Sequence, residues 1–206
     1  MVLESQADWL KNPSPHYWRF KRYQELLGGL IKKTDRVLDV GCGEGHLLFL
    51  LSEANKYGVD IEKTYLARAK AKNLQARFKP ASAEDLPFKN SFFDLVCCTE
   101  VIEHINRPKQ CLREVQRVLK PGGYCLFSTY NHFNIFNILT LKAFSSEPRI
   151  TPGHMREYSW ISFKKLVQNY FEIIKITQAG SSQLVDGFFQ VVKLPLADFM
   201  IVLAVK

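Results

Sequence analysis

The segment that sets the fold is Val37-Leu38-Asp39-Val40-Gly41-Cys42-Gly43-Glu44-Gly45-His46, in which an apolar run leads directly into three alternating glycines. The apolar run is typical of a buried strand, and the glycines predict a tight turn after it. Because glycine lacks a Cβ and tolerates positive φ, backbone N–H groups in such a turn can approach a ligand closely. The segment therefore predicts a strand, a ligand-binding turn and a helix, in that order.

The spacing of the glycines distinguishes between two kinds of nucleotide site. A dinucleotide-binding turn has the pattern Gly-x-Gly-x-x-Gly, which would require a glycine at the position of His46. A second acidic residue, Asp60, ends the next apolar run about twenty positions after Asp39, where a carboxylate can accept hydrogen bonds from both hydroxyls of a ribose. The pattern indicates a nucleoside cofactor that is not a dinucleotide.

Further segments downstream of the glycine turn extend this pattern. They are Ala83-Glu84-Asp85-Leu86-Pro87-Phe88, Phe93-Asp94-Leu95-Val96, Glu100-Val101-Ile102-Glu103-His104 and Leu119-Lys120-Pro121-Gly122-Gly123. Their order and intervals resemble those of the class I S-adenosylmethionine-dependent methyltransferases over roughly residues 36–129. The resemblance implies an α/β, Rossmann-like fold with a seven-stranded, mostly parallel sheet, an antiparallel last strand and helices on both faces. It also implies S-adenosylmethionine as cofactor and S-adenosylhomocysteine as product.

The alternation of apolar strands and helical patterns predicts where the elements lie. We expect strands at 36–40, 56–60, 76–80, 94–99 and 123–129, with helices at 45–53, 62–72 and 107–119. The pattern after residue 158 predicts a helix near 160–169, a strand near 171–178 and a last strand at 199–205. We expect one domain over 1–206, made of a helical cap (1–33), a cofactor-binding core (34–130), a lid insertion (131–158) and the C-terminal part of the sheet (159–206).

Length and composition limit the partners and the location. The 206 residues, 47% of them hydrophobic, suit one well-packed domain. No apolar run reaches the roughly 18–20 residues of a membrane span, and the five cysteines form no Cys-x-x-Cys pair, so we expect a cytoplasmic protein without transmembrane segment. The net charge of +8 permits a nucleic acid partner, but aromatic residues are not interleaved with the densest basic cluster, which favours a small-molecule acceptor. The composition is compatible with a monomer or a dimer.

Cofactor contacts are expected just beyond the carboxyl ends of the strands, where ligands bind in open α/β sheets. The resemblance assigns the methionine end of the cofactor to Asp39, Gly41, Cys42, Gly43, Glu44 and Gly45. It assigns the ribose to Asp60 and the adenine face to Ile61, with further contacts from Ala83, Glu84, Thr99 and Glu100. Asp60 can also act as a helix N-cap. Ser82 stands where family members often carry an aspartate for the adenine amino group, so a hydroxyl or backbone contact would have to replace that carboxylate.

Glu100, Glu103 and His104 share one face if a helical turn follows Thr99, because their spacing is i, i+3 and i+4. One interpretation is a Mg²⁺ site completed by His154, since Glu-x-x-Glu-His resembles the metal motif of small-RNA terminal 2′-O-methyltransferases and a segment of ubiquinone-pathway O-methyltransferases. A second makes His104 or His154 a general base. A third gives the cluster a structural or substrate-orienting role. Mg²⁺ prefers oxygen ligands to imidazole, which favours a site without metal.

The acceptor side is less sharply marked by the sequence. The large apolar residues of 132–144 predict a helix that either roofs an acceptor pocket or packs on the sheet edge. Tyr17 and Tyr130 are candidate substrate contacts, and Glu100, His104 and His154 are candidate catalytic residues. The predicted function is methyl transfer to oxygen of a small molecule, which the apolar stretch allows to be hydrophobic. RNA ribose 2′-O-methylation and cofactor binding without catalysis are the alternatives.

Overall fold

A computed structural model describes residues 17–51, 54–72, 75–139, 153–180 and 197–206. The strands are β1 Arg36–Val40, β2 Asn55–Asp60, β3 Arg77–Pro80, β4 Phe93–Thr99, β5 Leu119–Tyr130, β6 Glu172–Ala179 and β7 Phe199–Val205. The helices are α1 Tyr17–Leu27, α2 His46–Leu50, α3 Lys63–Lys72, α4 Pro108–Val118, α5 Ile135–Leu139 and α6 Trp160–Gln168. None of these helices has the length and hydrophobicity that crossing a membrane requires.

The strands form one sheet in the order β3-β2-β1-β4-β5-β7-β6. Strand β1 lies parallel to both β2 and β4, whereas β7 runs antiparallel to β5 on one side and to β6 on the other. The seven-stranded, mostly parallel sheet with an antiparallel last strand is therefore confirmed. The order of the strands reverses between β1 and β4, and the crevice at that point is where open α/β sheets bind ligands.

Both faces of the sheet are covered, as predicted. Leu38 and Val40 of β1 pack into one core cluster, and Val37 packs into the other. All three side chains are fully buried, and each contributes roughly 1.5–3 kcal/mol of hydrophobic stabilisation. Because helices cover both faces, apolar residues of β1 point to both sides of the sheet, and Asp39 is the one buried polar residue of the strand.

Local sequence explains where the covering helices begin. Helix α4 has Pro108 in its first turn, where a missing N–H costs no hydrogen bond. Helix α6 begins with a capping box in which the Ser159 and Ser162 side chains each bond to the other residue's backbone. These two signals fix the starts of helices that bury apolar residues against the sheet.

Three expected elements differ from the observed ones or extend past the described residues. The helix expected at 45–53 is observed as His46–Leu50, and residues 52–53 lie outside the described residues. Strand β5 begins at Leu119 and not near 123, because Leu119 pairs with Phe93 before a register shift in β4. The expected helix over 132–144 is described only as the five-residue α5. Residues 140–152 of the predicted lid and 1–16 of the predicted cap lie outside the described residues.

Candidate active site

The glycine turn joins the carboxyl end of β1 to helix α2. Gly41, Gly43 and Gly45 have φ values of +69°, +50° and +80°, a region that favours glycine. A Cβ on Gly41 would lie 2.3 Å from Cγ2 of Val101, whereas a Cβ on Gly43 would meet no described atom within 4 Å. The turn is thus closely packed behind Gly41 and open in front of Gly43, where a ligand has room to reach the backbone.

Asp60, at the end of β2, connects the glycine turn to helix α3. Its Oδ2 accepts a hydrogen bond from the Gly43 N–H at 2.8 Å, and its Oδ1 accepts one from the Glu62 N–H at 2.9 Å. Each carboxylate oxygen has two lone pairs, so both retain capacity for a ribose hydroxyl. The adjacent Ile61 is 79% exposed, an apolar surface that an adenine ring would cover. The helix-cap role of Asp60 and its predicted ribose role are compatible.

Asp39, in β1 just before the glycine turn, is an unusual carboxylate. It is buried, and its Oδ1 has no hydrogen-bond partner within the described part of the chain. Burial, and secondarily the charge of Asp60, raises the pKa of Asp39 well above its usual value. Buried polar atoms are normally paired, so this oxygen has the properties of one that awaits a donor. The ammonium group of a methionine moiety is such a donor, and the turn therefore fits S-adenosylmethionine.

Replacing Asp39 should raise stability in the absence of cofactor. The folded chain favours the neutral carboxyl group, whereas the unfolded chain ionises it at its usual pKa, so its contribution to stability is full below that usual pKa and is lost as pH rises through the raised value. Asp39→Asn should increase the free energy of unfolding by about 1–3 kcal/mol near pH 7 and by much less near pH 4. Urea unfolding at both pH values measures this.

The exposed Asp35 provides a matched control for that comparison. Its carboxylate accepts the Lys32 N–H at 2.8 Å on the surface. Asp35→Asn should therefore not reproduce the stabilisation near pH 7. If Asp39→Asn is no more stable than the unmodified chain near pH 7, then burying the Asp39 carboxyl group does not destabilise the folded chain, and the inference is wrong.

Two predicted cofactor residues use their carboxylates elsewhere. Glu84 accepts hydrogen bonds from Nε of Arg107 at 2.7 Å and from its backbone N–H at 2.9 Å, which anchors the chain ahead of α4. Glu44 forms ion pairs with Arg68 and Lys72 on α3, and these cations lower the pKa of Glu44. Only the backbones of Glu84 and Glu44 are then available to a cofactor.

Cys42 and Ala83 are buried. The Cys42 thiol lies where a Cβ on Gly58 would be 2.8 Å away, so it faces β2. The Ser82 hydroxyl accepts the Glu84 N–H at 3.1 Å, which shapes the loop around Ala83.

Glu100 follows Thr99, the last residue of β4, and is held by three contacts. Its φ is +55°, rare for a residue with a side chain, and its N–H donates to the Ser128 carbonyl at 3.0 Å. The Ser128 hydroxyl donates to Oε1 at 2.6 Å, and Nη1 of Arg19 lies 3.2 Å from Oε2. Arg19 also stacks on Phe199, with its Cζ 4.7 Å from the ring centroid. The N-terminal helix α1 thereby reaches the end of the central strand.

Glu103, His104 and His154 form a second cluster beside Glu100. One possible ligand atom from each lies within 4.8 Å of those of the other two, and the two imidazole rings are edge to face with centroids 4.8 Å apart. Glu103 is 1% exposed, and its carboxylate lies near the Thr129 hydroxyl and the Tyr130 backbone without forming a hydrogen bond of regular geometry with a described residue. Burial, and secondarily the charge of Glu100, raises its pKa to about 8.

Both imidazoles of this cluster are oriented through Nδ1. Nδ1 of His104 lies 2.8 Å from the Gly153 carbonyl oxygen, and Nδ1 of His154 lies 3.2 Å from Oε1 of Glu157. A carbonyl or carboxylate oxygen can only accept, so the neutral rings carry their proton on Nδ1 and a lone pair on Nε2. Two nitrogen bases are therefore oriented next to a buried carboxyl group.

A family model described as a methyltransferase domain matches residues 38–127, which contain the glycine turn, Asp60, Glu100 and the Glu103–His104 pair. Residues 38–127 of this chain thus form a methyltransferase domain. The sheet order and the open crevice at the glycine turn are those expected of that family, and the sequence resemblance is confirmed.

Curated relatives include named methyltransferases, and solved structures share the fold of this methyltransferase domain. The ubiquinone biosynthesis O-methyltransferase of Bordetella avium is 33% identical over 120 residues, which cover 55% of this chain and 49% of that protein. The chain thus spans about half the length of this curated relative. A possible histamine N-methyltransferase of Thermotoga maritima superposes with a TM-score of 0.70 at 18% identity, covering 99% of this chain and 95% of that one. The [4+2]-cyclase SpnF has a TM-score of 0.69 at 18% identity, with 90% and 80% covered.

The methyltransferase domain brings together three of the four predicted Mg²⁺ ligands. The carboxylate of Glu100 is instead engaged by Arg19 and Ser128. The remaining set has one carboxylate and two imidazoles, and Mg²⁺ prefers an octahedron of oxygen ligands. These residues fit Mg²⁺ poorly.

The predicted substrate contacts occupy different parts of the methyltransferase domain. Tyr130, at the end of β5, has its ring centroid 6.2 Å from that of His154 and 6.1 Å from that of Phe199. Tyr17 begins α1, two residues before Arg19, and packs edge-on against Trp18 with ring centroids 4.9 Å apart. Tyr130 therefore borders the imidazole cluster, and Tyr17 belongs to the covering helix.

Proposed function

We propose that this chain transfers the methyl group of S-adenosylmethionine to a hydroxyl oxygen of a small molecule. The observation that carries the proposal is the sheltered His154–Glu157 pair beside Tyr130. The two side chains are only 9% and 12% exposed, and the carboxylate orients the imidazole as a base. An oxygen acceptor needs such a base more than an amine does, because a hydroxyl must lose its proton to become a good nucleophile.

The charges around the glycine turn complement the cofactor. Asp39 and the backbone of the turn would receive the methionine ammonium group, and Arg19 is a cation suited to its carboxylate. Asp60 would hold the ribose, and Ile61 would cover one face of the adenine. Thr99 and Glu100 border the same crevice at the end of β4.

The protein's part in the reaction is alignment, exclusion of water and removal of one proton. S-adenosylmethionine supplies the activated methyl carbon when bound. As the acceptor oxygen bonds to that carbon, the carbon–sulfur bond breaks and the hydroxyl proton passes to Nε2 of His154. Glu157 stabilises the resulting imidazolium through the Nδ1 proton. The products are the methyl ether and S-adenosylhomocysteine, and His154 then releases its proton to water.

Exposed apolar side chains next to His154 in sequence and in the predicted lid favour a hydrophobic acceptor. Met155 is 50% exposed, and Phe133 and Leu139 of the lid are 37% and 75% exposed. The ubiquinone-pathway relatives are named as O-methyltransferases, which supports oxygen as the accepting atom. An RNA acceptor has less support, because Arg68 and Lys72 of the basic cluster on α3 pair with Glu44.

Calorimetric titration with S-adenosylhomocysteine tests the cofactor assignment. Asp60→Ala should weaken binding about 10- to 100-fold, since it removes charge-assisted hydrogen bonds to the ribose. Asp94→Ala is a matched control: Asp94 accepts the Arg36 N–H at 2.9 Å but lies at the opposite end of the sheet, and it should leave affinity unchanged. Equal affinity in Asp60→Ala and the unmodified chain would refute the ribose assignment.

The acceptor class is tested by transfer of a radiolabelled methyl group. Apolar phenols and catechols, matched amines and a small RNA would be offered in parallel. Labelling of the hydroxyl compounds with little labelling of amines supports the proposal. Labelling of RNA alone, or cofactor binding without any transfer, would replace it with one of the two alternatives.

A further inference from the structure

The carboxylate of Glu100 lies at the end of a chain of buried hydroxyl groups that starts in α1. The Tyr23 hydroxyl lies 2.6 Å from Oγ of Ser128, which lies 2.6 Å from Oε1 of Glu100. Tyr23 and Ser128 are both 0% exposed. Water therefore does not compete for these bonds, and each hydroxyl depends on its neighbour.

The direction of the hydrogen bonds follows from counting protons. A serine hydroxyl has one proton, and the Ser128 proton is used in the bond to the Glu100 carboxylate. Ser128 must therefore accept in its contact with Tyr23, and Tyr23 must donate. Burial raises the pKa of Tyr23, so the phenol keeps the proton that this role requires. A donor chain of this kind polarises each bond in turn.

Helix α1 holds Glu100 at two points. Arg19 and Tyr23 are four residues apart and so lie on one face of α1. Arg19 contacts Oε2 directly, and Tyr23 reaches Oε1 through Ser128. Both carboxylate oxygens of Glu100 are thus fixed by the same helical turn.

The backbone conformation of Glu100 is unfavourable and has to be stabilised by neighbouring residues. A residue with a side chain at φ of +55° costs roughly 1–2 kcal/mol and persists only where its surroundings hold it. The bend also brings the Val101 side chain against Gly41. A Cβ at position 41 would lie only 2.3 Å from Cγ2 of Val101, so this packing requires glycine. The position of Glu100 relative to the glycine turn is therefore imposed by neighbours and not by local preference.

We propose that Tyr23 is a positioning residue for Glu100, acting through Ser128 to fix the carboxylate at the methionine end of the cofactor crevice. The inference rests on the proposed function, because it assumes that Glu100 borders bound cofactor. It gives α1 a role beyond covering the crevice: the helix sets the geometry of a residue on the central strand.

The test is a double-mutant cycle on the affinity for radiolabelled S-adenosylmethionine, measured by equilibrium dialysis of the full chain. Tyr23→Phe removes only the hydroxyl and should weaken binding about five- to tenfold, the loss expected for one buried hydrogen bond. In a Glu100→Ala background the same change should alter affinity less than twofold. Ser128→Ala removes both the link to Tyr23 and the direct bond to Glu100, so it should weaken binding at least as much as Tyr23→Phe.

Tyr124→Phe is the matched control, since Tyr124 lies on β5 near the opposite end of the strands, and it should leave affinity unchanged. Thermal unfolding checks that each variant is folded; if Tyr23→Phe is not, Ser128→Ala carries the cycle. Unchanged affinity in Tyr23→Phe and Ser128→Ala, or an equal loss with and without Glu100, would overturn the inference. Failure of the unmodified chain to bind S-adenosylmethionine would instead overturn the proposed function on which it rests.

Discussion

His154→Asn should lower the turnover number about 10²- to 10⁴-fold while leaving S-adenosylhomocysteine affinity within twofold of the unmodified chain. The range is that of a positioned general base, and asparagine keeps the approximate shape of the ring but cannot take up a proton. His154 is oriented by Glu157 and borders Tyr130, whereas the predicted cofactor contacts lie at the glycine turn. Steady-state methyl transfer and calorimetry together separate the two effects.

His132 offers a matched control for this substitution. It lies in the same predicted lid segment, where its backbone N–H donates to the Tyr158 carbonyl and its own carbonyl accepts from the Asn137 side chain. His132→Asn should change turnover less than fivefold by the usual scale of substitutions away from the reacting groups. Equal turnover in His154→Asn and the unmodified chain would remove His154 as the base. Activity that is lost on chelation and restored by Zn²⁺ or Mn²⁺ would assign the cluster to a metal instead.

Gly43→Ala should abolish measurable cofactor binding while leaving the fold nearly intact. An alanine at φ of +50° costs roughly 1–2 kcal/mol, and its Cβ would meet no described atom within 4 Å. That open space faces the predicted ligand, so a methyl group there would hold the cofactor away from the backbone. We expect a loss of affinity on the order of 100-fold or more, measured by calorimetry beside thermal unfolding.

Substitutions at two other glycines distinguish backbone strain from a steric block of the cofactor. Gly29 has φ of +79° and equally open surroundings, but it follows α1 beside the amino ends of the strands, so Gly29→Ala should cost similar stability and no affinity. Gly41→Ala adds a 2.3 Å clash with Val101 and should destabilise the chain more than either. A Gly43→Ala protein that binds S-adenosylhomocysteine normally would refute the close approach of the cofactor to the turn.

The strands and the glycine turn were predictable because local sequence and burial agree there. Val37, Leu38 and Val40 are apolar on both faces of a doubly covered strand, and no alternative element accommodates that pattern. The start of β5 was predicted late because its first pairing depends on a register shift in β4, which no local signal marks. A secondary-structure element is therefore predictable where its local sequence alone determines its conformation and burial, and less so where its bounds depend on pairing with another strand.

The site was only partly predictable for the same reason. Asp39 lies near the carboxyl end of β1, Asp60 ends β2 and Glu100 directly follows β4, so chain position alone brings them to the same edge of the sheet. The parts that Arg19 and Ser128 play in holding Glu100 were not predicted, because they depend on how α1 docks against β5. The i, i+4 spacing of Arg19 and Tyr23 was a visible signal, but it did not identify the carboxylate that both serve. The carboxylates of Glu84 and Glu44 were likewise assigned without knowledge of their cationic partners.

The position of β7 in the sheet has a consequence for biosynthesis. Strand β7 inserts between β5 and β6, although it follows both in the sequence. During translation, the edges of β5 and β6 that pair with β7 stay unpaired until residue 205 has left the ribosome. Exposed strand edges promote association between chains. The long-range pairing also raises the contact order, which slows folding. The nascent chain is therefore most dependent on chaperones just before its sheet can close.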